Sequence, residues 1–147
     1  MAHAFLSPPA DLIDLDHTFL PVGQMRQISR VTRVDGATIS AEVDLGGDHW
    51  VWAQHFPGDP IFPGTLMIEG AGQLLALWAW EQGARGYPRL VRTHAEFHHP
   101  VGSEVPRLQL TAEVLRKRQL YFGNIRIFSG DILVGSVEAV LVVLTNK

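Results

Sequence analysis

Three chemically different groups lie close together in one segment of this sequence. His55 stands in a proline-rich loop, and an imidazole can accept a proton near neutral pH. Glu69 lies in an apolar stretch, where a protonated carboxyl group can donate a proton. Pro63 and Gly64 begin a predicted helix, whose first N–H groups can stabilise an oxyanion. A base, an acid and an oxyanion site suit the removal of a proton α to a carbonyl, with loss of a β leaving group.

Each of the three groups also has an ordinary structural explanation. A lone histidine in a loop is more often a packed side chain than a catalytic one. Glu69 could face water along one stripe of its helix, or form a structural pair with an arginine. A proline followed by a small residue is common at helix starts of any kind. The catalytic interpretation therefore depends on the three groups acting together.

The element that carries the carboxylate is a predicted helix from Gly64 to about Glu81. Pro63 precedes it, and Gly83 follows its end. The segment is apolar almost all round, which predicts that the helix is buried. Its polar exceptions are spaced four residues apart, so they share one narrow stripe: Thr65, Glu69 and Gln73.

Alternating apolar residues predict about six antiparallel strands, and a long loop at 46–63 joins the second strand to the helix. Three prolines near the end of that loop exclude regular structure there, and a long apolar loop in a compact domain is usually functional. One apolar helix beside so many strands predicts an α+β fold, with a sheet curled around the helix in a single domain over residues 1–147. The predicted strands span residues 27–34, 37–45, 90–97, 108–114, 121–128 and 132–144.

Composition excludes several functional classes. The chain has 147 residues, 46% of them hydrophobic, and no cysteine, which excludes disulfides, thiolate zinc sites and a cysteine nucleophile. A formal net charge of −3 argues against a nucleic-acid binder. The two longest apolar segments are too short or too charged to span a membrane, and residues 1–9 lack the features of a signal peptide. We therefore expect a cytoplasmic protein with no nucleic-acid or membrane partner.

The segment from His55 to Gln73 resembles the active-site motif of the 3-hydroxyacyl-acyl-carrier-protein dehydratases of the FabZ and FabA type. A looser resemblance covers most of the chain. It includes the run from Glu96 to Val101, which is similar to a Phe-x-x-Pro-Val strand end, and the basic segment from Leu115 to Arg118. The resemblance implies the hotdog fold, in which a curved antiparallel β-sheet wraps around one long buried central helix.

The resemblance also implies roles for individual residues. His55 would take the α-proton of a (3R)-hydroxyacyl thioester, and Glu69 would protonate the departing hydroxyl to leave a trans-2-enoyl thioester. The N–H of Gly64, where no side chain blocks the backbone, would bind the thioester oxygen, and Gln73 would steady Glu69. The implied substrate-binding residues are Gly64, Gln73, Phe56 and Thr65. No metal or other cofactor is implied.

In the family, the histidine and the carboxylate of one site come from different protomers, so a homodimer or an oligomer of dimers is implied. The acyl chain would run in an apolar tunnel along the dimer interface. Its carrier would be an acyl carrier protein, in fatty acid, polyketide or polyene biosynthesis. The basic residues 116–118 and Arg85, Arg89 and Arg92 could meet the acidic surface of that carrier, or could simply be solvated.

Several alternatives remain open at this stage. Glu69 and Pro57 favour the branch that only dehydrates, whereas Asp59 and the residues 50–52 resemble the branch that also isomerises the double bond. A hotdog thioesterase and a non-catalytic partner subunit of a dehydratase heterodimer are the other candidates. Metal binding by His94, His98 and His99 is disfavoured, because residues four apart on a strand lie about 13 Å from each other.

Overall fold

The computed structural model describes residues 11–145, in which six strands form one antiparallel sheet. Across the sheet the strands follow the order β1-β2-β4-β5-β6-β3, so β3 is added at the far edge, beside the last strand of the chain. In chain order the strands are β1 (Arg30–Asp35), β2 (Thr38–Asp44), β3 (Tyr87–Phe97), β4 (Arg107–Lys117), β5 (Leu120–Ser129) and β6 (Ile132–Leu144).

Two α-helices lie between β2 and β3. The first, α1 (Val51–Gln54), is a single turn, and the second, α2 (Gly64–Glu81), is the long helix predicted from the sequence. It begins after Pro63 and ends before Gly83, whose φ of +91° is a left-handed conformation that glycine adopts without strain. Two short 3-10 turns, Leu15–His17 and Gly23–Met25, precede the sheet.

One face of α2 packs against the sheet and forms the core with it. The alternating residues predicted to point inward from β2 are all buried, Ile39 completely so. On the helix, Ala71, Leu74 and Leu75 have no exposed surface. A long helix against one antiparallel sheet confirms the predicted α+β class, and β6 has strand neighbours on both sides, as its apolar sequence indicates.

The composition of α2 predicts a helix that is buried all round, and this prediction is wrong for one side of the helix. A stripe spaced three or four residues apart stays partly open: Thr65, Ile68, Glu69, Gly72, Ala76 and Trp80. The stripe lies open because no helix or strand within residues 11–145 covers that side. The edge strand β3 is similarly exposed, with Leu90, Val91 and Phe97 about half accessible.

Two local features differ from the sequence-based expectations. The loop at 46–63 contains the helical turn α1, because its prolines begin only at Pro57. Strand β3 begins at Tyr87 and includes Pro88, three residues earlier than predicted, and an edge strand tolerates proline. The expected signal-free N-terminus lies outside the described residues. None of the helices in the described part of the chain is long and apolar enough to cross a membrane.

Candidate active site

The loop that carries His55 is closed by backbone hydrogen bonds. The N–H of His55 donates to the carbonyl of Val51 at 2.8 Å, which places His55 directly after α1. Its own carbonyl accepts from Ile61 at 2.8 Å, and Phe56 and Asp59 exchange two backbone hydrogen bonds at 2.8 and 2.9 Å. Residues 55–61 therefore form a compact turn that fixes the position of the histidine.

One hydrogen bond determines which nitrogen of His55 is available for chemistry. Nδ1 lies 2.9 Å from the carbonyl oxygen of Ile61. A carbonyl oxygen can only accept, so in the neutral form of the ring Nδ1 carries the hydrogen and Nε2 presents a lone pair. Phe56 stacks on the imidazole, with ring centroids 4.0 Å apart and an interplanar angle of 28°. The ring is thus oriented with Nε2 free to accept a proton.

Gln73 is buried on α2 and its side-chain amide is fully hydrogen-bonded. Its Oε1 accepts from the backbone N–H groups of Gln27 at 2.8 Å and Ile28 at 3.3 Å. These two donors fix the orientation of the amide, so Nε2 must donate on its other side. It donates to the carbonyl of Met25 at 2.7 Å and to Oε2 of Glu69 at 2.8 Å. Glu69 is therefore held in place through a residue that is itself held by a third segment.

The start of α2 differs in one respect from the expected oxyanion site. The N–H groups of Leu66 and Met67 donate to the carbonyl of Pro63, and those of Gly64 and Thr65 precede them. A Cβ atom on Gly64 would lie 2.7 Å from the ring of Phe97. The sequence predicts a glycine here so that a substrate can approach the backbone. In the structure the Phe97 ring fills the Cβ side of Gly64, so a substrate can contact Gly64 only through its N–H.

A cavity of about 420 Å³ lies between α2 and the first residues of β3. Three predicted site residues, Thr65, Glu69 and Gln73, line it together. His55, Phe56 and Gly64 are not among its walls, and Gly64 instead borders a separate cavity of about 250 Å³ below Phe97. The other walls of the larger cavity are Phe19, Leu20, Pro21, Ile68, Gly72, Ala76, Tyr87, Pro88, Arg89, Leu90 and Leu141.

Several of these walls could not be identified from the sequence. Phe19 and Leu20 lie in an irregular segment with no periodic pattern, and Tyr87 and Arg89 reach the cavity only because β3 is the edge strand. Phe97 is predicted from the sequence only as the end of a strand and as part of the Phe-x-x-Pro-Val resemblance. Its exposed aromatic ring next to a helix-starting glycine becomes evident only in three dimensions.

His49 supports the turn that precedes His55. Its Nδ1 accepts a hydrogen bond from the N–H of Val51 at 3.1 Å, at the start of α1. Burial lowers the pKa of His49, against the opposing charge of Asp48, so the neutral ring that this hydrogen bond requires is favoured. Among residues 11–145 no three histidine or acidic side chains are grouped closely enough to hold a metal ion.

Comparison with known families gives one match that spans most of the chain. A family model described as a FabA-like domain matches residues 20–140. The matched range contains the loop of His55, the whole of α2 and all six strands except the last four residues of β6.

Solved structures with a similar fold include a dehydratase complex, a thioesterase and the protein AziG. The dehydratase heterocomplex ApeI:P from Xenorhabdus doucetiae has a TM-score of 0.69 at 16% identity, covering 84% of this chain and 85% of that one. A mutant of thioesterase PA1618 from Pseudomonas aeruginosa has a TM-score of 0.61 at 16% identity, covering 78% and 80%. AziG from S. sahachiroi has a TM-score of 0.58 at 20% identity, covering 80% and 91%. At these identities the likeness shows a shared fold.

Proposed function

Because this chain belongs to the FabA-like domain family and has the hotdog fold, we propose that it dehydrates (3R)-hydroxyacyl thioesters to trans-2-enoyl thioesters. The observation that carries the proposal is the hydrogen bond between Gln73 and Glu69 at the wall of a largely apolar cavity. A carboxyl group positioned in this way beside space for an acyl chain suits an acid that acts on a β-hydroxyl.

The proposed reaction uses two side chains and one backbone group. Nε2 of His55 takes the proton from C2, and the electron pair of that C–H bond forms the C2–C3 double bond. The C3–O bond breaks, and the hydroxyl leaves as water with the proton that Glu69 supplies. The N–H of Gly64 binds the thioester oxygen while negative charge develops on it. After the reaction His55 holds the proton taken from C2, and Glu69 lacks the proton it gave to the hydroxyl. Transfer of a proton from His55 back to Glu69 restores both groups, so no net proton is consumed.

The separation of His55 from the cavity of Glu69 supports a site built from two copies of the chain. Within residues 11–145, strand β3 has a strand neighbour on one side only, and its apolar side chains Leu90, Val91 and Phe97 are exposed. Such an edge is a template for pairing with another strand. We propose a homodimer paired along β3, in which His55 of the partner subunit reaches the Glu69 cavity from its open side.

Basic residues at one end of the sheet support an acidic acyl carrier protein as partner. Lys117, Leu120, Val142 and Arg89 are successive cross-strand partners, so Lys117 and Arg89 share the same face and the same end of the sheet. Arg116 and Arg118 adjoin them at the hairpin turn. A local cluster of positive charge on a chain of net charge −3 can orient an acidic partner. Arg89 also lines the Glu69 cavity.

The test is mass spectrometry of carrier-bound products from a purified (3R)-hydroxyacyl carrier protein. The wild-type protein should release water and form the enoyl thioester, and both His55→Ala and Glu69→Gln should lower the rate by about a hundredfold or more. His17→Ala, at an exposed position outside the cavities of Glu69 and Gly64, is the matched control and should react normally.

Other products would identify the competing functions. Free acid in place of the enoyl thioester would indicate a thioesterase. A cis-3-enoyl product would add isomerisation to dehydration. Inactivity of the wild-type chain alone, with activity restored by a second hotdog protein, would indicate a heterodimer subunit and contradict the homodimer.

A further inference from the structure

The cavity that Glu69 lines continues along α2 away from the carboxylate. Its floor on the helix is formed by Gly72 and Ala76, one and two turns beyond Glu69. Leu20 and Pro88 form the facing walls. Beyond the carboxylate the cavity is therefore lined by side chains that suit an alkyl chain.

Gly72 leaves space that no residue of the described chain fills. Apart from the backbone of the helix itself and the two adjacent residues, no described atom lies within 4 Å of the position that a Cβ would take there. Glycine is also a poor residue in the interior of a helix, because it loses more conformational entropy than alanine. Its presence is therefore explained neither by close packing nor by helix stability, and the free space belongs to the cavity.

An aromatic cluster lies at the far end of the cavity. Phe19 packs edge-on against Trp80, with ring centroids 5.4 Å apart, and lies 5.8 Å from the ring of Tyr87. The guanidinium of Arg85 stacks 3.6 Å from the Trp80 ring, and its Nη1 donates to the Trp80 carbonyl at 2.8 Å. Trp80 is thus braced from outside by Arg85.

A second, very small void lies next to the far end of the cavity and shares several of its walls. It has a volume of about 20 Å³, is lined by Trp80 and Leu77, and shares the walls Phe19, Leu20 and Ala76 with the larger cavity. The cavity therefore narrows at the aromatic cluster, and one side chain, Trp80, stands at the narrowing.

We propose that Trp80, supported by Phe19 and Tyr87, closes the cavity and limits the length of acyl chain that the site accepts, an assignment that rests on the proposed function. Ala76 lies about 10 Å along the helix axis from Glu69. An extended alkyl chain advances about 1.3 Å per carbon, given C–C bonds of about 1.5 Å. The site then accommodates roughly eight carbons beyond the hydroxyl-bearing C3.

The experiment measures binding of unreactive ligands, so it does not require catalysis. S-Alkyl thioethers of pantetheine, from butyl to hexadecyl, are titrated into the full-length protein by calorimetry. For the wild type, affinity should rise about fourfold per added methylene, equivalent to ~0.8 kcal/mol, and then stop rising at the limiting length. Trp80→Ala should lengthen the cavity by about one helical turn and raise the limiting chain length by about four carbons. Trp80→Phe should leave the limiting chain length unchanged.

Gly72→Leu provides the opposite change and remains informative if Trp80→Ala does not fold. A leucine side chain there should fill the cavity and shorten the limit by several carbons, while the protein keeps its wild-type oligomeric mass. Ile132→Ala, at an exposed turn away from the cavity, is the matched control and should leave the limit unchanged.

Three results would overturn the assignment. The first is a length limit that Trp80→Ala and Gly72→Leu both leave unchanged. The second is an affinity that keeps rising through the longest wild-type ligand. The third is dissociation of Gly72→Leu into monomers, which would assign the space at Gly72 to a partner chain. A protein that shows the length limit but releases no water from hydroxyacyl substrates would contradict the proposed reaction and leave this assignment intact.

Discussion

Nε2 of Gln73 donates to Oε2 of Glu69 at 2.8 Å, while Oε1 of the same amide accepts from the backbone N–H of Gln27. This arrangement connects the carboxylate to a segment that lies 46 residues before Gln73 in the chain. Any change at Gln73 therefore affects both the position of Glu69 and the attachment of residues 25–28 to α2.

Replacing Gln73 by leucine should reduce both stability and activity. The substitution removes the partners of the buried N–H groups of Gln27 and Ile28, and each unsatisfied buried group costs about 1–3 kcal/mol. Urea unfolding should show this loss, and the dehydration rate at saturating substrate should fall about tenfold or more, because Glu69 loses its positioning bond. Gln82→Leu, at the exposed end of the same helix, should change neither quantity.

Replacing Gly64 by alanine should force the Phe97 ring to move. The new Cβ would lie 2.7 Å from that ring. Overpacking of this kind lowers the free energy of unfolding by about 1–3 kcal/mol, and urea unfolding would measure this loss. The double variant Gly64→Ala/Phe97→Ala removes the clash and should be less destabilised than the sum of the single variants. Additive losses would show that the glycine is required for another reason.

The stability of the His55 loop should decrease at acidic pH through His49. Because burial lowers the pKa of His49 in the folded protein, the unfolded chain binds a proton at higher pH than the folded one does. The stability that neutral His49 contributes to the folded protein is therefore complete above pH 6.5, the ordinary pKa of histidine. It is lost as the pH falls from 6.5 through the lower pKa of the folded state.

Urea unfolding at successive pH values checks this expectation. His49→Gln should reduce the loss of stability between pH 6.5 and lower pH, since its amide does not titrate in this range. His98→Gln, at an exposed position, should leave the loss as it is in the wild type. An identical pH profile for wild type and His49→Gln would contradict the role assigned to His49.

Two inactive variants should complement each other if each site combines residues of two chains. His55→Ala and Glu69→Gln should each be inactive. After they are mixed and reassembled, roughly a quarter of wild-type activity should return, because half of randomly assorted dimers carry one intact site of two. A site built within one chain would give no recovery.

A charge on the edge strand tests the same dimer independently. Val91 is exposed on β3, and Val91→Lys places a charge where a second strand would pair. Light scattering should show a monomer, and dehydration should be lost with it. Ile132→Lys, a matched change at an exposed position outside β3, should preserve the dimer and its activity.

The sequence predicted those elements whose signals are local. Pro63 and Gly83 bound α2, and strict alternation in β2 identified the buried face, since helix ends and strand faces depend on neighbouring residues. The spacing of Glu69 and Gln73 placed them one turn apart on one helix face, and the structure joins them by a hydrogen bond.

The remaining features depend on contacts between distant segments. The partners of Gln73 at residues 25–28 and the cavity wall at Phe19 belong to irregular stretches, which carry no periodic signal. The place of Tyr87 in the same wall follows from the pairing of β3 with β6. These two strands are far apart in the chain, so their pairing cannot be derived from the pattern of neighbouring residues.

The position of β3 between β6 and the open edge of the sheet also governs the order in which the molecule can be assembled during synthesis. Tyr87 pairs with Leu144, and Phe97 pairs with Gly135, so β3 has no strand to join until the last dozen or so residues of the sheet have left the ribosome. Pairing between such distant segments slows folding, and it leaves both edges of β3 unpaired until β6 is available. A nascent chain arrested before β6 therefore presents β3 with both edges free, a target for chaperones and for premature association with a second nascent chain.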